Sequence, residues 1–356
     1  MNTSGDRDWE RAWRILRQAI AQHAFPGASA AITLGDDVVA LCGFGRFTYE
    51  HHAPEVSGET SFDLASLTKV LSATAMAMIL QQRGLLDLEQ PVTEVLPEFG
   101  TEGDRRAVLV RHLLAHTSGL PAYERLFERA ASREVLISAA CRIPLLAAPG
   151  ERVDYSDIGF IVLGEALERL AGEAIDRFCT REVFGPLAMS RTGFRPLRET
   201  RDQIPPTCDD REFRHRIIQG EVHDENASVM GGVSAHAGMF APAADIARFA
   251  QCMLRGGAPI FRPETVRLFT PPQPVRAGYA RGLGWDRVSQ PSQSGRYFPA
   301  AAYGHLGFTG TSLWIDPERR LSITLLTNRT WPDAQSQHIK LVRPAFHDAV
   351  VEVLGV

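Results

Sequence analysis

Ser66-Leu67-Thr68-Lys69-Val70-Leu71-Ser72-Ala73-Thr74-Ala75-Met76 opens a strongly apolar stretch that continues to Gln82 and meets Gly84. Alanine, leucine and methionine dominate it, which predicts a buried helix over 66–82 with Gly84 as its stop signal. Ser66 and Lys69 stand three residues apart, on one face of that helix, so hydroxyl and amine can touch. Of the 38 basic residues only two are lysine, Lys69 and Lys340. A GC-rich coding bias explains an arginine excess, so what matters is where a lysine is kept. Arginine holds its proton in a protein, whereas a desolvated lysine can lose one near neutral pH and act as a base. Serine beside such a lysine is the geometry of a nucleophile and its activator. Alone the pair is weak, because a serine helix cap with a solvated lysine has the same spacing. The apolar run after Lys69 argues for burial instead.

On the N-terminal side, Trp13, Leu16 and Ile20 repeat on one face of a helix from about Trp9 to His23, which Pro26-Gly27 stops. Residues 28–34 and 38–43 read as a hairpin around Gly35-Asp36-Asp37. Between the Ser66 helix and about residue 235 the pattern is short helices and loops, with helices expected over 111–116, 133–146 and 160–171. Further on come a helix over 243–254, a loop-rich stretch from Pro271 to Pro299, and strands over 312–315 and 321–327. A last helix covers 334–354, with Pro344 expected to break or kink it. Strands at both ends and helices between predict an α+β fold. An antiparallel sheet from both termini is flanked by the terminal helices, and a mostly helical lobe is inserted. The expected division is 1–65 with 236–356 for the sheet domain and 66–235 for the helical one, the active site lying at their interface.

Hydrophobic content of 44% and charged content of 22% describe a globular chain, and a net charge of -4 gives no field for nucleic acid. No run of about 18 apolar residues predicts a membrane span. Residues 1–8 lack an apolar signal core, so the expected location is the cytoplasm, or outside it if a leader was removed. Cys42, Cys141, Cys179, Cys208 and Cys252 are scattered without CxxC spacing and read as packed thiols. No phosphate loop, dinucleotide fingerprint or Gly-x-Ser-x-Gly elbow occurs, and no cofactor is expected. His112 and His116 have helical zinc spacing but Leu113 stands where the glutamate belongs. No metal is expected there, and His116 reads as holding the turn at Thr117-Ser118-Gly119. His223, Asp224 and Glu225 read as a hydrogen-bonded loop near a cleft in preference to ligands or catalytic helpers. His236 reads as lining or supporting the pocket.

Two more elements accompany Ser66 and Lys69. Tyr155-Ser156-Asp157 follows a turn at Pro149-Gly150, and an extended segment there would point Tyr155 and Asp157 the same way. Gly304-His305-Leu306-Gly307-Phe308-Thr309-Gly310-Thr311-Ser312 precedes a strand, and its small residues allow close approach to the backbone. In this order the three elements resemble the serine β-lactamase and penicillin-binding-protein superfamily, which includes class C β-lactamases, D-alanyl-D-alanine carboxypeptidases, D-amino-acid amidases and related esterases. His112-Leu113-Leu114-Ala115-His116-Thr117-Ser118-Gly119-Leu120, the segment 155–160, Val222-His223-Asp224 and the segment 304–310 look typical of the class C-like branch. The likeness runs from about residue 25 to 330.

The resemblance implies a serine hydrolase of β-lactamase-like fold in which Ser66 attacks a carbonyl and water resolves the acyl-enzyme. It assigns shared proton transfer to Lys69 and Tyr155, and an oxyanion hole to the backbone N–H groups of Ser66 and Phe308. Asp157, His305, Gly307, His223 and His236 then bind substrate or support the site. Two departures bear on the substrate. Asp157 stands where asparagine is usual, and an ionised carboxylate there would keep Lys69 charged, leaving Tyr155 as the stronger base candidate. His305 replaces the usual lysine of the third motif and removes a fixed positive charge. Small esters or amides are the expected substrates. A D-alanyl-D-alanine carboxypeptidase or β-lactamase is the alternative within the family, and a binding or sensor protein without turnover the alternative outside catalysis.

Overall fold

The computed structural model describes residues 8–276 and 281–356. The first seven residues of the N-terminal reading, and 277–280 within the Pro271–Pro299 stretch, therefore lie outside the described residues. The strand Gly27–Leu34 pairs antiparallel on one side with Asp37–Gly45 and on the other with Leu321–Thr327. Both ends of the chain thus meet in one six-stranded sheet, continued by Ser312–Asp316, Tyr303–Leu306 and Asp286–Arg287. Leu321–Thr327 is buried along its whole length, as its run Leu-Ser-Ile-Thr-Leu-Leu-Thr requires of a strand covered on both faces.

Alternation along that strand sorts the two faces. Ile323 and Leu325 pack with Trp13 and Leu16 of the helix Glu10–Ala21 and with Phe346 and Val350 of the helix Ile339–Leu354. Leu326 turns to the other face, where the helix Ala243–Leu254 joins the larger core containing Met76 and Ile79. The expected α+β architecture, with a sheet from both termini under terminal helices, is the one that forms.

Local differences have physical reasons. The helix expected over 66–82 begins with a π-helical turn, Lys69–Thr74, before the α-helix Ala75–Gln82. The helix from Arg133 ends at Arg142, because Ile143 precedes Pro144 and is pushed out of the helical region. The last helix starts at Ile339 and carries Pro344 in its second turn without ending. Ser61–Asp63 pairs with Met239–Pro242, and Pro206–Asp210 with Arg216–Gln219. These strands of three to five residues are too short to declare an alternation. The five cysteines are free thiols. No described helix is long and apolar enough to cross a membrane.

Candidate active site

Ser66 sits where the strand Ser61–Asp63 turns into the Lys69 helix. Ala65 makes the turn at φ 46°, a left-handed conformation that costs a residue with a Cβ about 1–2 kcal/mol. Asp63 holds it there, its Oδ1 accepting the Ala65 N–H at 2.8 Å. A π-helical turn at Lys69 aims the fully buried lysine back at Ser66. The ammonium meets several acceptors there. Lys69 Nζ donates to Ser66 Oγ at 3.0 Å, to Asp157 Oδ1 at 2.6 Å and to the His236 carbonyl at 2.9 Å.

Tyr155 and Asp157 reach Lys69 by a different route from the extended segment expected. Asp157 is the first residue of the helix Asp157–Ala171, and Ser156 is its N-cap, with Oγ accepting the Gly159 N–H at 2.9 Å. His116 fixes this corner. Its Nδ1 accepts the Ser156 N–H at 2.9 Å, and its ring lies 4.5 Å from that of Tyr155 and 4.9 Å from Phe160. The histidine read as holding its own turn therefore places Tyr155 and Asp157 from forty residues away.

His305 lies on the strand Tyr303–Leu306, buried, with its Nδ1–H donated to the Leu306 carbonyl at 2.8 Å. That bond sets the tautomer and leaves Nε2 as an acceptor with no partner among the described residues. Burial, then the Arg281 and Lys69 charges, push its pKa well below 6.5. His305 is neutral and does not replace a lysine electrostatically. At Gly307 an added Cβ would lie 1.9 Å from Thr311 Oγ1 and 2.5 Å from the Leu64 carbonyl, so only glycine lets this segment lie against the Ser66 turn. The backbone N–H groups of Ser66 and Phe308 have no acceptor among the described residues. The Phe308 ring is 53% exposed, set between the rings of His223 at 5.5 Å and the Arg329 guanidinium at 4.5 Å.

Asp224 Oδ1 accepts from His236 Nε2 at 2.8 Å and from the Ala227 N–H at 2.7 Å, while His236 Nδ1 meets Ser234 Oγ at 2.7 Å. Burial pushes Asp224 upward, but His236 and that amide outweigh it and hold the carboxyl at about 2. Burial takes His223 down to about 4. The chain of contacts ends on Lys69 through the His236 carbonyl. All the residues singled out from the sequence are thus brought together. Ser66, Tyr155, Asp157, His223, His236, His305, Gly307 and Phe308 line one cleft of about 1130 Å³, and Lys69 reaches Ser66 from beneath.

Two titratable groups, Lys69 and Tyr155, decide the proton balance. Burial pulls Lys69 down, but the Asp157 carboxylate and Tyr155 outweigh it and leave its pKa raised. Burial raises Tyr155, and Asp157 adds to this; Lys69 and hydrogen bonds from Ser66 and Lys69 only partly offset it. Near neutral pH the resting pair is an ammonium beside a neutral phenol.

Asp63 and Arg281 gave no sequence signal. Arg281 lies over the Tyr155 ring at 5.3 Å and pairs with Asp286 at 2.9 Å. Asp63 is a joint: Oδ2 accepts the His223 N–H at 2.7 Å and its carbonyl accepts Thr309 Oγ1 at 2.7 Å. It ties the Ser66 turn, the His223 loop and the Gly304–Gly310 segment together. Burial raises its carboxyl from 3.8 to about 6, with Asp224 adding to this and the His223 and Ala65 amides and Arg214 opposing it. A carboxyl more easily protonated in the fold contributes stability that is full below its unfolded pKa and lost as pH rises through about 6. Relative to wild type, Asp63→Asn is therefore expected to gain about 3 kcal/mol of stability between pH about 4 and about 7. Denaturant unfolding of both proteins at each pH measures it; a difference that does not change with pH would refute the assignment.

Comparison with known proteins shows which family the chain is similar to. The sequence profile described as Beta-lactamase matches residues 13–343. A Bacillus subtilis (strain 168) N-acetylmuramyl-L-alanine amidase is 33% identical over 350 residues, taking in 86% of this chain and 77% of that protein. A putative D-alanyl-D-alanine carboxypeptidase of Escherichia coli K12 is 31% identical over 302 residues, 76% of this chain and 69% of that protein. Among solved structures, the hydrolase EstCE1, described as having promiscuous acyltransferase activity, superposes with a TM-score of 0.78 at 23% identity over 96% of this chain and 97% of its own. An octameric penicillin-binding protein homologue from Pyrococcus abyssi gives 0.75 at 21% identity over 98% of this chain and 78% of its own. At these identities the structures speak for the fold alone.

Proposed function

The chain belongs to the beta-lactamase family of serine hydrolases, and on that footing we propose that it transfers acyl groups to water through an ester on Ser66. The observation that carries this reading is the contact of the buried Lys69 ammonium with Ser66 Oγ at 3.0 Å. Because Lys69 has no lone pair while charged, Ser66 must pass its own proton elsewhere, and Tyr155 is the group in reach.

In the proposed sequence the Lys69–Tyr155 pair first loses one proton to solvent, giving a phenolate beside the ammonium. Ser66 Oγ forms a bond to the substrate carbonyl carbon while its proton goes to the Tyr155 oxygen. The carbonyl π electrons move to oxygen, which accepts the N–H groups of Ser66 and Phe308. Collapse breaks the bond to the leaving group, and Tyr155 returns the proton to it. Water then repeats the cycle on the acyl-enzyme and frees Ser66. Because the two groups interact strongly, the proton lost at the start belongs to the pair.

This gives a signed prediction. Asp157 raises Lys69 and raises Tyr155 as well. Asp157→Asn should therefore shift the alkaline rise of kcat/KM toward lower pH, by about one unit. A pH profile of kcat/KM for the two proteins decides it, and an unmoved rise would contradict the phenolate route.

Esters and amides are the proposed substrates, with the neutral His305 offering no cation where the chain passes along the strand Tyr303–Leu306. A second reading, peptides ending in D-alanyl-D-alanine, is supported by the carboxypeptidase relatives and by a cleft larger than a small ester needs. Parallel assays with p-nitrophenyl butyrate and a D-alanyl-D-alanine peptide test the choice. Ester turnover supports the first reading and turnover of the peptide alone the second; turnover of neither would overturn both.

A further inference from the structure

The two N–H groups offered to the substrate oxygen lie inside two tight turns. Ser66 is the third residue of the turn Leu64–Leu67, which the Leu67 N–H closes onto the Leu64 carbonyl at 3.1 Å. Phe308 is the second residue of the turn Gly307–Gly310, which the Gly310 N–H closes onto the Gly307 carbonyl at 3.1 Å. The closing bond of such a turn uses neither interior N–H, so both stay available. The turns are fixed to different scaffolds. The Leu64 N–H donates to the Met239 carbonyl at 2.9 Å, tying the first turn to the three-stranded sheet that holds Ser61–Asp63 and Met239–Pro242. The Thr309 carbonyl accepts the Arg329 N–H at 3.0 Å and Thr327 Oγ1 at 3.1 Å, tying the second to the end of a strand in the six-stranded sheet.

The gap between the two amides therefore depends on what joins the turns. Two hydrogen bonds cross from one to the other among the described residues, and a threonine hydroxyl donates each. Thr309 Oγ1 donates to the Asp63 carbonyl at 2.7 Å, and Thr311 Oγ1 to the Leu64 carbonyl at 2.9 Å. Thr311 is the more direct coupling. Its acceptor is the same Leu64 carbonyl that closes the first turn, and its own carbonyl accepts the Gly307 N–H at 2.7 Å, at the root of the second. Both threonines are fully buried and neither lines the cleft, so substrate does not touch them. Branching at Cβ restricts χ1 and keeps each hydroxyl aimed.

We propose that Thr311, assisted by Thr309, sets the width of the oxyanion hole and is a positioning residue for acyl transfer. The inference rests on the proposed chemistry at Ser66. Valine keeps the shape of threonine but puts a methyl where the hydroxyl was. Carbon approaches a carbonyl oxygen only to about 3.3–3.6 Å, so Thr311→Val parts the turns by roughly half an ångström. That is about the tolerance of a preorganised site. The charge that develops on the substrate oxygen loses stabilisation, while the bound ester, which carries little charge there, loses almost none. The Leu64 carbonyl keeps its bond from Leu67, so the substitution orphans no buried acceptor.

Thr311→Val should lower kcat on p-nitrophenyl butyrate roughly 30-fold with KM changed less than about twofold. Thr311→Ser keeps the hydroxyl and should stay within about threefold of wild type. Butylboronic acid supplies a second readout. Ser66 Oγ adds to its boron and the serine proton leaves to solvent, giving a tetrahedral anion with one oxygen in the hole. Its Kd, read from thermal unfolding, should weaken in Thr311→Val by about the same 30-fold. Ser322→Ala is the control. It removes a buried hydroxyl that meets Thr33 Oγ1 at 2.6 Å, at the other end of the strand Leu321–Thr327 and outside the cleft lining. It should lose stability but neither kcat nor boronate affinity. A Thr311→Val enzyme within about threefold of wild type in kcat overturns the positioning role. So does slowed turnover with unchanged boronate affinity, or an equal loss in Ser322→Ala. If Thr311→Val does not fold, Thr309→Val takes its place under the same criteria. Where wild type binds the boronate without cleaving the ester, the two Kd values decide. Wild type that does neither overturns the acyl-transfer reading, and this role with it.

Discussion

Ser66→Ala is expected to lose roughly 10⁴-fold or more of kcat on p-nitrophenyl butyrate while leaving the fold unchanged. The size follows from the arrangement around the hydroxyl. Lys69 and Tyr155 both converge on Ser66 Oγ, and no second hydroxyl stands between them. Ser72, also on the Lys69 helix, donates its hydroxyl to the Thr68 carbonyl at 2.7 Å and is fully buried, so it cannot substitute. Removing Oγ leaves the Lys69 ammonium with Asp157 and the His236 carbonyl, which keep it paired. The loss should therefore be chemical, and the unfolding free energies of the two proteins should agree within about 1 kcal/mol. A variant that keeps more than a tenth of the activity would remove Ser66 from the mechanism.

Tyr155→Phe is the second large effect, a fall of roughly 10²–10⁴ in kcat with KM little changed. The ring is held by features that phenylalanine keeps: the His116 ring at 4.5 Å, the Lys69 ammonium at 5.1 Å from its centroid and the Arg281 guanidinium at 5.3 Å. Only the proton acceptor disappears. Because the alkaline rise in kcat/KM is assigned to the Lys69–Tyr155 pair, the residual activity of the variant should also lose that rise. Steady-state kinetics across pH reads both at once. A variant with normal kcat would return the base to Lys69, and with it the need for a neutral amine that Asp157 opposes.

The fold and the site were legible to different degrees, for physical reasons. The apolar run after Ser66, the two terminal helices and the strand over 321–327 announce themselves because each is long enough to show a period, and the strand expected over 312–315 follows from its pairing across the turn that joins the two strands. Ser66, Lys69, Tyr155 and Gly307 were visible as residue types at motif spacings. What the sequence hid is how they are held. Asp63 is an ordinary acid beside a phenylalanine until the strand Ser61–Asp63 meets Met239–Pro242 and its carboxylate caps two distant loops. His116 signals a helical zinc pair or a turn, and only the packing of two loops gives its Nδ1 the Ser156 amide. The π-helical turn at Lys69 has no periodic signature over six residues, yet it sets the lysine's aim.

Labelling with a fluorophosphonate activity probe, followed by peptide mapping and assay of the same sample, tests the central assignment most directly. A single modified residue, Ser66, with activity falling in step with its modification is the result this mechanism requires. Activity retained in protein fully modified at Ser66, or inactivation through a residue other than Ser66, would contradict it.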